Sequence, residues 1–222
     1  MTAFDEQTAP ADDAEQSQER TSGFFSSRWV RIGLAVLGLL VLLGVALRWL
    51  RPPELHGIAL QSPDRAADFT LTASTGEPMS LSDFRGKYVL LYFGYTFCPD
   101  VCPTTMNDLR TAVRTLGDKA DNVQVIMVSV DPARDTPEQM AKYVAAFDPS
   151  FLGMTGDQAI IDQAASQFGV FFDVHEGSAA TGYLVDHTSI VTLIDPEGYA
   201  REIFAYGTSG EEIAADVAQW MR

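Results

Sequence analysis

The chain has 222 residues, of which 46% are hydrophobic, and its 30 acidic residues against 15 Lys and Arg give a formal net charge of -15. This length and composition fit one ordinary globular domain with appendages. They argue against a nucleic-acid-binding function, because phosphate binding depends on clustered Lys and Arg residues. The excess of acidic residues is otherwise compatible with a solvated surface and equally with a face that docks a basic partner.

The N-terminal 50 residues divide into a polar tail and an apolar span. Residues 1–28 contain six acidic residues among Gln, Ser and Thr, which predicts a disordered acidic tail. Residues 29–50 are predicted to form a transmembrane helix, because residues 32–47 carry no charge and roughly 20 apolar residues span about 30 Å of hydrocarbon. Trp29 and Trp49 fit the two membrane interfaces.

A cleaved signal peptide is the competing interpretation of this span, because Gly44, Val45 and Ala46 resemble a small-residue cleavage site. The long leader and the length of the apolar run favour a retained anchor. Arg20, Arg28 and Arg31 precede the uncharged stretch 32–47, and Arg48, Arg51 and Arg65 follow it, so the positive-inside rule leaves the orientation undecided. The acidic leader argues against a mitochondrial transit peptide and indicates a bacterial membrane protein.

The rest of the chain is predicted to be a tether and one α/β domain. Residues 51–64 are the predicted tether, which opens with two prolines, and residues 65–222 are the domain. Hydrophobic periodicity and capping signals place its elements in chain order. The predicted strands are 68–71, 79–81, 88–93, 123–130, 171–175, 188–194 and 200–205, and the predicted helices are 103–116, 137–147, 160–168 and 210–221. This order predicts a thioredoxin-like fold, with a central sheet flanked by helices.

Cys98 and Cys102 are the only cysteines, and they lie where the buried strand 88–93 gives way to a helix. Pro99 and Pro103 each favour extended backbone in the preceding residue, and Pro103 suits the first helical position. Cys102 is therefore predicted to be the N-cap. The positive helix end would lower the pKa of its thiol and favour the thiolate, which attacks disulfides or binds soft metals.

Three stretches of sequence carry a family resemblance. They are residues 95–103, which hold both cysteines, residues 130–136, and residues 185–188 with 193–198. These stretches resemble the hallmark motifs of the Sco/SenC family over roughly residues 60–222. Members of that family are tethered copper-binding proteins that assist assembly of the binuclear copper site in subunit II of cytochrome c oxidase.

The resemblance implies a ligand set, partners and a location. The implied copper ligands are Cys98, Cys102 and His187. The implied partners are cytochrome c oxidase subunit II, a periplasmic copper donor or thiol reductant, and the membrane, which one helix crosses. The implied location is a bacterial inner membrane, with the C-terminal domain in the periplasm.

The residues themselves support copper chemistry. Two thiolates and an imidazole form a soft set of three ligands that suits Cu(I) and can also hold Cu(II). Asp131 and Asp186 are candidates to orient His187 or to line the site, although both are also typical of turns at strand ends.

We predict that His56 is a solvated tether residue and that Met106 packs in the core.

Thiol–disulfide reduction of the target and copper or redox sensing remain alternatives to copper delivery, because each would use the same thiols. Thioredoxin-like oxidoreductases normally have two residues between their cysteines and a cis-proline opposite them. Here three residues intervene, and no proline occurs between Pro149 and Pro196, although cysteines four apart can still close a disulfide. A peroxidase is disfavoured, because Leu91 and Tyr95 stand where peroxiredoxins carry Pro and Thr. The hypothesis is a membrane-anchored copper chaperone.

Overall fold

The computed structural model describes residues 28–49, 55–176 and 182–222, which fall into two compact units, Met1–Pro53 and Glu54–Arg222. The first unit contains helix α1 (Arg28–Trp49). In the described part of the chain, no helix has both the length and the apolar character that a membrane crossing requires. The predicted acidic tail, apart from its last residue, and the start of the predicted tether lie outside the described residues.

The second unit contains ten strands and four α-helices within its described residues. The strands are β1 (Ile58–Ala59), β2 (Thr70–Ala73), β3 (Pro78–Ser80), β4 (Tyr88–Gly94), β5 (Val123–Ser129), β6 (Leu152–Thr155), β7 (Phe172–Glu176), β8 (Tyr183–His187), β9 (Ile190–Ile194) and β10 (Ala200–Ala205). The helices are α2 (Val101–Leu116), α3 (Pro137–Ala145), α4 (Gln158–Gln167) and α5 (Gly210–Trp220). Eight strands form one mixed sheet in the order β1-β10-β9-β4-β5-β6-β2-β3, while β7 and β8 form a separate antiparallel hairpin.

Strand β4 lies at the centre of the sheet and leads to the cysteines. It runs parallel to β5 and antiparallel to β9. Leu90, Leu91, Tyr92 and Phe93 are all buried, because a central strand covered on both faces needs a continuous apolar run rather than alternation. The strand predicted over 88–93 is therefore confirmed.

Local signals in the sequence placed the helices well. The Thr136 hydroxyl caps α3 by accepting from the N–H of Gln139, and Ser209 and Glu212 form the capping box of α5. Gly169 follows α4 with a φ of 69°, the left-handed conformation that commonly ends a helix. These elements confirm the predicted α/β class.

The edges of the sheet differ from the prediction. Strand β1 lies inside the predicted tether and pairs with β10, so the folded domain begins before residue 65. Strand β6 was not predicted, because Gly153 interrupts its apolar pattern. A Cβ at Gly153 would stand 2.8 Å from the Cβ of Met140, and a glycine there lets α3 approach the sheet.

Candidate metal centre

Three side chains from two distant parts of the chain meet beyond the end of β4. Cys98 lies in the turn after this strand, Cys102 in the first turn of α2, and His187 at the end of β8. One potential ligand atom of each lies within 4.8 Å of the other two. Within the part of the chain that the structure describes, this is the one group of three or more His, Cys, Asp or Glu side chains with metal-binding geometry. The three predicted ligands are thus brought together.

Two close contacts define the cluster. Nε2 of His187 is 3.3 Å from Sγ of Cys102. The backbone N–H of Cys102 donates to Sγ of Cys98 over 3.4 Å. Both cysteines are free thiols in the structure, so their sulfur atoms are available as ligands.

The close approach of α2 to the end of β4 depends on a glycine. A Cβ at Gly94 would lie 2.7 Å from the ring of Tyr92 and 3.0 Å from Sγ of Cys102. A Cβ there would displace the Tyr92 ring on the same strand and push the Cys102 sulfur of α2 away from the strand. Gly94 therefore allows the buried thiol to pack directly on the strand end.

A buried carboxylate holds the cysteine turn in place. Asp135 accepts hydrogen bonds from the backbone N–H and the hydroxyl of Thr96, at 3.0 and 2.6 Å, and from the hydroxyl of Ser129 at 2.6 Å. Burial raises the pKa of Asp135, against the lowering effect of these donors. The turn is thereby tied to the end of β5, a link that the sequence did not predict.

The helix start differs from the prediction, and so does the identity of the reactive thiol. Asp100, not Cys102, is the N-cap of α2. The side chain of Cys102 lowers the pKa of Cys98 to about 3, helped by the imidazole of His187 and the backbone N–H groups of Cys102 and Asp100, while burial opposes the shift. The same pairing, together with burial, raises the pKa of Cys102.

The thiolate therefore belongs to Cys98. The N–H groups at the helix start point toward its sulfur, whereas Cys102 is fully buried. One thiol donates to the other, so the pair holds a single proton and titrates as a unit. This arrangement combines an accessible nucleophile with a protected partner, because Cys98 retains solvent contact.

The ring of His187 is fixed on both edges. Its Nδ1 lies 3.3 Å from the carbonyl oxygen of Thr188, and its Nε2 faces the sulfur of Cys102. Tyr92 and Tyr95 contact the imidazole edge-on, with ring centroids 6.0 and 6.1 Å away. The unpredicted tyrosines thus form its apolar surroundings.

An open pocket of about 280 Å³ gives access to the cluster. Cys98, Asp186 and His187 are among its lining residues. Its carboxylate points away toward His175, whose Nε2 lies 3.2 Å from Oδ2 of Asp186. The imidazole that Asp186 contacts is therefore that of His175, across the hairpin.

Asp131, a candidate to orient His187, contacts Tyr183 and Arg134 in the structure. Its buried carboxylate accepts a hydrogen bond of 2.6 Å from the hydroxyl of Tyr183 and pairs with Arg134. Asp131 thus supports the hairpin that carries His187. Arg134 and Tyr183 were missed, because Tyr183 is 52 residues from Asp131 in the sequence and no local pattern joins them.

The other two predicted residues have different outcomes. Met106 is fully buried in the core, which confirms the prediction. His56 is not a free tether residue, because its Nδ1 lies 2.8 Å from Oδ1 of Asp216, a buried residue of α5.

Comparison with known proteins agrees with this geometry. The sequence model of the SCO1/SenC family matches residues 59–222. The human mitochondrial SCO1 homolog is 37% identical over 160 residues, which cover 69% of this chain and 52% of that protein. The chain thus spans about half the length of this relative.

Two solved structures show the same fold. Apo Sco1 from Thermus thermophilus is 40% identical, with a TM-score of 0.68 over 75% of this chain and 97% of that one. Bradyrhizobium japonicum ScoI with copper bound is 36% identical, with a TM-score of 0.64 over 71% and 99%. Since the family match covers well over half of the sequence and includes both cysteines and His187, the chain belongs to the SCO1/SenC family.

Proposed function

We propose that this protein is a copper chaperone that holds one copper ion between Cys98, Cys102 and His187 and delivers it during assembly of cytochrome c oxidase. The observation that carries the proposal is the convergence of two sulfur atoms and one imidazole within 4.8 Å. Soft thiolates favour Cu(I), and the added imidazole also suits Cu(II). The copper-bound structure of the 36% identical Bradyrhizobium protein supports the choice of metal.

The two thiols differ in pKa and in exposure, and this difference suggests the order in which they bind the copper ion. Cys98 faces the open pocket as a thiolate and is the first ligand that an incoming ion meets. Coordination by Cys102 requires loss of its proton, because the thiolate is the metal-binding form. His187 completes the set through Nε2 without releasing a proton. The open side of the site leaves room for a ligand from the recipient, so the ion can pass by ligand exchange.

The recipient in this proposal is the binuclear copper site of subunit II, and a periplasmic protein supplies the copper or the reducing equivalents. Helix α1 anchors the chain in a bacterial inner membrane, with the copper-binding domain in the periplasm. The apolar side chains of α1 are exposed at the described positions from Val30 to Val45, which supports an anchor.

The pair of free thiols carries a second candidate, reduction of a disulfide in the target, because an accessible Cys98 lies beside a buried Cys102. The Cys98 thiolate would attack the target disulfide and release one target thiolate. Cys102, after losing its proton, would attack the mixed disulfide and release the second. The target gains two electrons, and the pair becomes a Cys98–Cys102 disulfide.

Metal analysis of the full-length protein, purified in detergent, tests copper binding. We expect one copper per reduced chain, and a loss of Cu(I) binding after oxidation to the disulfide or in the Cys98→Ser, Cys102→Ser double variant. His175→Ala is the matched control, because it removes a histidine of the same hairpin that lies outside the cluster. Full Cu(I) stoichiometry in the double variant would refute the proposal.

A further inference from the structure

The hairpin that carries His187 is held to the domain by few contacts. Strands β7 and β8 pair with each other and not with the eight-stranded sheet. Most of β7 is exposed, and Val185 is the buried residue of β8. The position of the His187 imidazole therefore depends on the side chains that fasten this hairpin.

Arg134 makes the central contact with the hairpin. Its guanidinium lies over the ring of Tyr183 at 3.6 Å from the centroid, and its Nη1 donates to the Tyr183 carbonyl over 3.0 Å. Its Nε pairs with Asp131, which also accepts from the Tyr183 hydroxyl over 2.6 Å. Three side chains thus form a closed set of contacts between β8 and the loop after β5.

Arg134 also reaches the turn that carries Cys98. Its guanidinium carbon is 4.9 Å from the ring centroid of Phe97 and 5.7 Å from that of Tyr95. The Tyr95 hydroxyl in turn accepts a hydrogen bond of 3.3 Å from the N–H of Val185. One arginine therefore lies between the cysteine turn and the histidine strand.

We infer that Arg134 is a positioning residue that sets the separation between His187 and the two cysteines. This role rests on the proposed function, because it matters where the three side chains bind one ion. A planar guanidinium can stack on an aromatic ring while its edge donates to a carboxylate and a carbonyl. Lysine keeps the charge but cannot make this combination, so Arg134→Lys isolates the geometry.

The chain provides a matched control in Arg201. Its Nε lies 2.5 Å from Oδ2 of Asp195, and its guanidinium carbon is 5.6 Å from the rings of Tyr199 and Trp220. Arg201 therefore makes the same kinds of contact as Arg134, but its partners lie outside the metal centre and the hairpin. A general effect of replacing a stacked, paired arginine should appear equally in Arg201→Lys.

A double-mutant cycle measures whether Arg134 acts through His187. Cu(I) affinity of the full-length protein is measured by competition with a chromophoric chelator, in wild type, Arg134→Lys, His187→Ala and the double variant. We expect Arg134→Lys alone to weaken binding about 10- to 100-fold, as for supports of other metal ligands. In the His187→Ala background the same change should have less than about a twofold effect, because the coupled partner is already absent.

A measurement on the metal-free protein tests whether Arg134 holds the hairpin in place independently of copper binding. Amide hydrogen exchange at Val185 should accelerate at least about tenfold in Arg134→Lys and remain at the wild-type rate in Arg201→Lys. Equal Cu(I) affinities of wild type and Arg134→Lys would overturn the inference, and so would independent, additive losses in the cycle. Failure of the wild-type protein itself to bind copper would instead refute the proposed function, and unchanged Val185 exchange in Arg134→Lys would then refute the positioning role separately.

Discussion

Nε2 of His187 lies 3.3 Å from Sγ of Cys102, although 85 residues separate the two in the sequence. The contact joins the first turn of α2 to a hairpin outside the main sheet. The thiols therefore come from one rigid strand–turn–helix unit, and the imidazole comes from a separately fastened element. Removing the imidazole should consequently leave the thiol pair intact.

The first prediction concerns His187→Ala. It removes one ligand while both thiols and their helix-end N–H groups remain, so copper binding should weaken and disulfide exchange should persist. If copper delivery is the function, cells with this variant should assemble cytochrome oxidase poorly at limiting copper, and excess copper should partly restore it by mass action. Oxidase activity and the copper content of subunit II measure the effect.

His175→Ala is the control for this experiment, since it replaces the neighbouring histidine of the hairpin. Wild-type oxidase in His187→Ala cells at limiting copper, with the variant confirmed not to bind the metal, would favour the reductase. In that case Cys98→Ser and Cys102→Ser should each fail to support the oxidase.

The second prediction concerns the location of the thiolate. Because the pKa of Cys98 is lowered to about 3, its alkylation rate should change by less than about twofold between about pH 5 and about pH 8. Cys102 is buried and protonated, so it should remain unlabelled in the folded protein. Mass spectrometry after iodoacetamide treatment measures both rates.

Cys102→Ala provides the internal comparison for the thiolate. It removes the side chain that contributes most to the low pKa of Cys98, so the alkylation rate of Cys98 should regain a rise with pH. Preferential labelling of Cys102 in the wild-type protein would contradict this assignment of the thiolate.

Local sequence patterns predicted the scaffold of the site but not its second half. The apolar run of β4, the cysteine turn and the capped helices follow from neighbouring residues. Strand β8 was missed because Val185 is its one buried residue and because it pairs with β7 outside the main sheet. The assignment of the low pKa to Cys98 likewise depends on the contact between the two thiols and then on His187 and the backbone N–H groups that approach the Cys98 sulfur, which local sequence patterns do not reveal.

The third prediction concerns Gly94→Ala. The added methyl group would meet the Tyr92 ring at 2.7 Å and Sγ of Cys102 at 3.0 Å, and overpacking of this kind typically costs about 1–3 kcal/mol of unfolding free energy. We also expect weaker copper binding, because the buried thiol must move. Urea denaturation and chelator competition measure the two effects.

Gly38→Ala is the comparison for this substitution, because a Cβ at Gly38 meets no atom within 4 Å. It should leave the copper affinity unchanged. Wild-type stability and affinity in Gly94→Ala would show that the strand end tolerates a side chain.

The fourth prediction concerns a buried acid cluster at the start of the domain. Glu202 and Asp216 are buried, and both accept hydrogen bonds from the N–H of Gly57, at 3.0 and 3.1 Å. The Trp220 indole N–H also donates to Glu202 over 2.8 Å, and Asp216 accepts from the N–H of His56 over 2.7 Å. These contacts fasten the segment around β1 to β10 and α5.

The ionisation of this cluster should make the stability depend on pH. Burial, followed by the proximity of Asp216, raises the pKa of Glu202 to about 7 against the effect of the Trp220 donor. The hydrogen bond to Asp216 raises the pKa of His56, with smaller contributions from Glu212 and Glu202. Burial acts to raise the pKa of Asp216, but hydrogen bonds from His56 and Glu202 lower it overall.

The direction in which stability changes with pH follows from the raised pKa values of Glu202 and His56. Folding favours the protonated forms of Glu202 and His56, so their stabilising contributions are complete at low pH. The Glu202 contribution is lost progressively from its unfolded pKa of about 4.3 until the pH passes about 7. The His56 contribution is lost as the pH rises above about 6.5 and through its raised pKa.

Urea denaturation of the full-length protein between about pH 5 and about pH 8 tests this dependence, with the midpoint expected to fall as the pH rises. Glu202→Gln keeps an oxygen that can accept from Gly57 and cannot ionise, so it should make the profile shallower and leave the His56 contribution in place. Glu77→Gln replaces an exposed glutamate and should leave the slope unchanged. A wild-type slope in Glu202→Gln would assign the pH dependence to other groups, because only ionisation of Glu202 distinguishes the two proteins at this cluster.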